Sequence, residues 1–122
     1  MAKRTSRNEF GEYVKGLRER GGMTLRSFCL ENGVDAGNWS RMERGSVKPP
    51  GERVLECYGE MLGVEVGSEE WYHLLDLGAA GRGAVPGDLM SDGELVGKLP
   101  LVFKALRRGV LLELVERIRE EW

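Results

Sequence analysis

The residues best equipped for recognition chemistry lie between positions 36 and 44, where Asn38, Ser40, Arg41 and Arg44 fall within nine residues. An arginine guanidinium can donate two parallel hydrogen bonds to O6 and N7 of a guanine, and an asparagine amide can pair with adenine or hold a phosphate. Catalytic chemistry is thinly supplied. The single histidine, His73, sits in the aromatic and leucine-rich stretch Trp71-Tyr-His-Leu-Leu75, and Cys29 and Cys57 stand far apart with no CxxC. These residues offer neither a zinc site nor a histidine-assisted nucleophile, and both thiols read as reduced and structural. The spacing of Asp and Glu suggests no carboxylate cluster, so no enzyme, metal or cofactor is expected.

The elements that must position these residues are helices. Phe10, Tyr13, Val14 and Leu17 repeat at i, i+3, i+4 and i+7, a stripe that stops at Gly21-Gly22. Thr24 can cap a second helix, where Leu25, Phe28 and Cys29 continue until Asn32-Gly33. Asp35 can cap a third, Ala36 to Arg44, which Gly45 ends. After the loop Ser46-Val-Lys-Pro-Pro50, the stripe Val54, Leu55, Tyr58, Met61 and Leu62 predicts a fourth helix ending at Gly63, and a fifth runs from Ser68 to the glycines at 78 and 81. Only Val64-Glu-Val66 hints at a strand, so the fold is expected to be all-α.

Helical geometry then sorts the third helix. At about 100° per residue, the apolar Trp39 and Met42 define an inward side, and Gly37, Ser40, Arg41 and Arg44 occupy the other, flanked by Ala36 and Asn38. Trp39, three residues from Met42, reads as core and not as a wedge between bases. Arg41 is the first candidate for reading a base, with Asn38 and Ser40 next; Arg44, at the helix end, is better placed for phosphate. Ala36 and Gly37 are too short for bidentate contacts, and suit close backbone approach or contact with thymine methyls.

Charge is divided along the chain. The 122 residues carry a formal net charge of −2, yet residues 1–48 hold ten Lys/Arg against six Asp/Glu, and residues 49–122 hold eight against fourteen. A basic front and an acidic rear would orient the molecule toward a polyanion. No apolar run approaches the roughly 18 residues of a membrane span, and the first ten residues lack the apolar segment of a signal peptide, so a cytoplasmic location is expected.

A Gly/Ala-rich linker, 79–90, is expected to separate a second part, 91–122. There Ser91-Asp-Gly-Glu94 has capping-box spacing, and Leu95, Leu99, Val102, Phe103 and Leu106 share a helical face, with Pro100 expected to start or kink a helix. After Gly109, the residues Leu111, Leu114, Val115, Ile118 and Trp122 form a second seam. These seams suit a dimer interface, a protein-partner interface, or packing on the chain's own core.

Two short helices joined by Glu31-Asn-Gly33-Val34 have the proportions of a helix-turn-helix, whose second member can enter a major groove about 12 Å wide. Gly22 to Gly45, GMTLRSFCLENGVDAGNWSRMERG, resembles the Cro/repressor-type helix-turn-helix of bacterial and phage regulators, the XRE family. Ser40-Arg-Met-Glu-Arg-Gly45 is its most specific piece, and the likeness covers about residues 8 to 78. Some longer members share the pattern seen here as Pro86, Asp88-Leu89, Leu99-Pro100 and Leu106-Arg107.

The resemblance implies a five-helix DNA-binding domain over 9–78 with a helical dimerisation or interaction segment behind it. It implies a transcriptional regulator, a repressor acting on an inverted repeat of double-stranded DNA as a homodimer. Arg18 and Glu43 match positions that form an internal ion pair in the family. Helix two lacks the family's phosphate-binding glutamine, leaving Thr24, the helix amides and Arg26 to replace it. Asn32 stands at a position that is apolar in relatives. Lys48 is a phosphate candidate in the loop after helix three. Lys3, Arg4 and Arg7, in the arm 1–8, either track the DNA backbone or form a solubilising tail. An alternative function makes the chain an antitoxin or a regulator controlled by a partner, a toxin or a protease bound by the C-terminal helices.

Overall fold

The computed structural model describes residues 8–121, and among them there are helices and no strand. The chain divides into two compact units, the first ending at Pro86 and the second beginning at Gly87. Lys3, Arg4, Arg7 and Trp122 lie outside the described residues.

The first unit holds five helices: α1 Glu9–Arg20, α2 Leu25–Asn32, α3 Ala36–Arg44, α4 Glu52–Met61 and α5 Glu69–Arg82. Side-chain caps begin most of them. Thr24 accepts from the Ser27 amide at 3.1 Å, Asp35 from Asn38 at 2.8 Å and Ser68 from Trp71 at 3.1 Å, each satisfying a donor that the first turn leaves unpaired. Inside, Phe10, Val14, Leu17, Phe28, Trp39, Leu55, Trp71 and Leu74 form one core to which all five helices contribute. The weak strand hint at 64–66 is not realised, in keeping with the all-α expectation. Val64 is buried in the turn after α4 with its amide on the Gly59 carbonyl at 2.9 Å, and Val66 is exposed.

Three expectations need correction. The fifth helix does not stop at Gly78 and Gly81 but runs through both to Arg82, with Gly83 in the left-handed region at φ 74°. A Cβ on Gly78 would lie 2.9 Å from Leu55 Cδ2, and one on Gly81 2.6 Å from Pro49 Cγ. These glycines are spacers that let α4 and the proline loop approach, and packing offsets their low helix propensity. Val54 of the expected α4 stripe is 44% exposed. Cys57 is exposed too, so only Cys29 is a buried structural thiol, and burial pushes its pKa up.

The second unit contains α6 Gly87–Met90, inside the stretch expected as linker, then α7 Gly93–Arg107 and α8 Leu112–Glu121. Asp92, and not Ser91, caps α7, accepting from the Glu94 and Leu95 amides at 3.0 and 3.2 Å. Ser91 instead turns its hydroxyl back to the Gly87 and Asp88 carbonyls, closing α6. Pro100 lies within α7 and neither starts nor ends it. No residue of α6 or α7 is buried. Leu95, Val102, Phe103, Leu106, Leu114, Val115 and Ile118 are exposed, Leu99 and Leu111 half-buried.

Candidate nucleic-acid interface

The helix α3 hides one side and presents the other. Trp39, 2% exposed, packs its ring between Phe28 and Tyr58, each centroid 4.8 Å away, so it belongs to the core. Met42 is buried beside it. At the end of α3, Gly45 takes φ 78° and the Ser46 amide returns to the Arg41 carbonyl at 2.9 Å, closing the last turn. The preceding turn is made the same way, with Gly33 at φ 68° and the Val34 amide on the Cys29 carbonyl at 3.0 Å. The angle between α2 and α3 is thereby set by backbone geometry at a glycine.

A buried polar knot fixes α3 against α1. Arg18 Nε and Nη2 donate to the two oxygens of Glu43 at 2.7 and 2.9 Å, and Trp39 Nε1 donates to Oε2 at 2.7 Å. Arg18 Nη1 closes on the Met23 carbonyl at 2.9 Å, and the hydrogen bond to Glu43 holds the Arg18 pKa above its ordinary value. A bidentate, fully hydrogen-bonded pair of this kind offsets the desolvation that an isolated buried charge would suffer. It also has an electrostatic consequence outside. Glu43 is the only carboxylate within α3, and it points inward to a counter-charge, so the charged side chains that the helix itself presents outside are the cations Arg41 and Arg44.

Asn8, assigned by sequence to the arm, is a second tie. Its Oδ1 caps α1 on the Gly11 amide at 3.2 Å while Nδ2 donates to the Glu43 carbonyl at 2.6 Å, joining the start of α1 to the end of α3. A Cβ on Gly11 or Gly45 would collide with Asn8. The signal was present, since Asn is a preferred N-cap and stands two residues before Phe10. Its long-range half was not visible.

The remaining candidates separate into groups. Ala36, Gly37, Asn38 and Arg41 are exposed together at the start and middle of α3, and Arg41 Nη2 donates to Asn38 Oδ1. Ser40 is half-buried, accepts from Arg44 Nε at 3.2 Å, and lines with Arg44 a depression bordered by Glu12, Lys15 and Leu25. Thr24 exchanges hydrogen bonds with Ser27 at the exposed start of α2, with Arg26 beside it. Lys48 is exposed on a loop held to α5, where Arg82 Nη1 donates to the Pro50 carbonyl at 2.6 Å. Asn32, in place of an apolar residue, returns Nδ2 to the Phe28 carbonyl at 2.9 Å. His73 is exposed, edge-on to Tyr13 at 4.8 Å.

A family model described as a helix-turn-helix domain matches residues 9–70, just over half the chain and the span that holds α1 to α4 and the knot. The chain belongs to this helix-turn-helix family. The family falls in the Cro/repressor-type group, and its domain is that of a DNA-binding regulator. No curated protein and no solved structure matches the chain. Among the described residues of this helix-turn-helix protein, no helix is long and apolar enough to cross a membrane, and no three His, Cys, Asp or Glu gather where they could hold a metal.

Proposed function

We propose that the protein is a sequence-specific repressor that binds an inverted repeat in double-stranded DNA as a homodimer and acts by occluding a promoter. The observation that carries this reading is the outer side of α3: exposed Arg41 and Arg44, small Ala36 and Gly37, and no outward carboxylate within the helix. Nine residues span about 13 Å, a length that fits a major groove about 12 Å wide. In this reading Arg41 takes a guanine, Asn38, Ser40, Gly37 and Ala36 border the contact, and Thr24, Arg26, Arg44, Lys48, Lys3, Arg4 and Arg7 meet phosphates.

Dimerisation supplies the affinity that one short helix lacks, and selects half-sites about 34 Å apart. Support comes from the second unit, where ten large apolar side chains from Leu95 to Ile118 are each at least 40% exposed. A stable dimer buries about 800 Å² on each partner, drawn from exposed apolar side chains of this kind. Residues 87–122 carry six Lys/Arg against seven Asp/Glu, so this surface has neither a basic surplus to seek phosphates nor a large like charge to keep a second copy away.

The test is selection of bound duplexes from a random DNA pool by wild type and Arg41→Ala. Wild type is expected to enrich an inverted repeat, and the variant to lose roughly 1–3 kcal/mol of discrimination at one symmetric position. Enrichment of a single half-site would remove the dimer, and weak salt-sensitive binding without enrichment would reduce the basic side to a polyanion surface. A co-purifying toxin or protease in place of a second copy would favour the antitoxin reading.

A further inference from the structure

We infer that Asn38 is a positioning residue for Arg41 and does not read a base of its own, so that the two side chains report on one base pair. The inference rests on the proposed role of α3 in DNA reading and deepens it. The two residues are three apart on α3, the spacing that places side chains on one helix face, and Arg41 Nη2 donates to Asn38 Oδ1.

The chemistry of the contact has one orientation. A guanidinium has five donors and no acceptor, so only the amide oxygen of Asn38 can face it and the NH2 must point away. Pairing of asparagine with adenine needs both groups, the oxygen to accept from N6 and the NH2 to donate to N7. With its oxygen committed to Arg41, Asn38 cannot make that pair. Arg41 keeps its own capacity, because giving one Nη2 hydrogen to Asn38 leaves one two-donor edge of the fork intact for O6 and N7 of guanine.

Two neighbours complete the seat. A Cβ on Gly37 would lie 3.8 and 4.0 Å from Arg41 Nη1 and Nη2, so the guanidinium lies back over the first turn of α3, where residue 37 brings no side chain. Asp35, whose Oδ2 would be 3.1 Å from that Cβ, accepts from the Asn38 backbone N–H at 2.8 Å and anchors the turn that carries Asn38. Asp35, Gly37 and Asn38 thus hold the fork before DNA arrives, removing rotamer entropy that a free arginine would lose on binding. The small residues at the start of α3 gain a purpose: a long side chain at 37 would compete for the place where the fork lies.

The experiment is duplex selection from a random pool by the full chain as wild type, N38A, N38D, R41A and N38A/R41A, with circular dichroism to confirm retained helix. N38A is expected to lower the guanine preference about tenfold at the same position that R41A relaxes, leaving other positions unchanged. N38D keeps an acceptor oxygen and is expected to hold that preference while its added charge weakens binding to every sequence. The double variant should be no worse than R41A at that position. Relaxation by N38A at a neighbouring base pair, with the guanine preference intact, overturns the inference and makes Asn38 an independent reader; so does an N38A profile identical to wild type. Failure of wild type to enrich any sequence removes the role of α3 itself, an outcome distinct from both.

Discussion

The two units of this chain spend their apolar residues in opposite ways. In the first, Val14, Leu55 and Leu74 are at most 1% exposed, and even an ion pair is enclosed. In the second, helices with comparable apolar content bury no residue of α6 or α7, and Leu101 and Leu112 stand 68% and 65% exposed. The first unit has the makings of a self-sufficient domain, and the second has the surface of half a core. Under the proposed function the contrast has a reason: a reading head must hold α3 rigidly before it meets DNA, whereas a segment that dimerises completes its core on association.

The largest effect that would break this contrast lies in the buried knot. Glu43→Ala strands the Arg18 charge inside the core and removes the acceptor of Trp39 Nε1, and removal of one partner from a buried pair costs about 3–5 kcal/mol. Thermal unfolding should show a large fall in midpoint, with most of it recovered by the paired change Arg18→Met and Glu43→Leu, which substitutes apolar contact for the charges. An unchanged midpoint in Glu43→Ala would mean that the first unit does not depend on its enclosed polar network.

The second unit should respond in association and not in folding. Phe103→Asp puts a carboxylate into the exposed apolar face of α7, a helix in which no residue is buried. On the proposed homodimer, sedimentation should move from dimer to monomer, and affinity for a two-half-site duplex should fall about a hundredfold as the second contact stops being intramolecular. The unfolding midpoint of the first unit should stay where it was. Loss of that midpoint together with dimerisation would show that the two units share one core.

What was legible in the sequence follows the same division. Stripes such as Phe10–Val14–Leu17 and the caps Thr24, Asp35 and Ser68 are local patterns, and they placed the first five helices to within a few residues. Arg18 and Glu43 were found through the family likeness, because a partnership between residues 25 apart leaves no periodicity. Gly78 and Gly81 misled for the same reason: a glycine reads as a stop until Leu55 and Pro49 are seen pressing against it. Ser91 and Asp92 are adjacent cap formers, and only backbone geometry chooses between them. Asn38 and Ser40 belonged to the expected face by angle, yet their oxygens are taken by Arg41 and Arg44, a matter of rotamers that helical geometry does not reach.

The smallest expected effect comes from an ion pair that is the exposed counterpart of the knot. Arg20 Nη1 and Nη2 meet Glu70 at 2.6 and 3.1 Å, tying α1 to α5 with side chains 55% and 46% exposed. The hydrogen bond from Arg20, and then its charge, lower the Glu70 pKa. A carboxylate whose pKa is lower folded than unfolded contributes stability above its ordinary range and loses it as pH falls through the depressed folded value. Glu70→Gln should therefore narrow the difference from wild type as the solution is acidified, with the two unfolding midpoints converging below the carboxylate range. Water and salt screen such a pair, so the neutral-pH difference should be small and shrink in high salt. The Glu43 effect should persist there, because the Arg18–Glu43 pair is enclosed. Equal salt sensitivity of the two variants would place both pairs in contact with solvent and erase the distinction between the enclosed and the open tie.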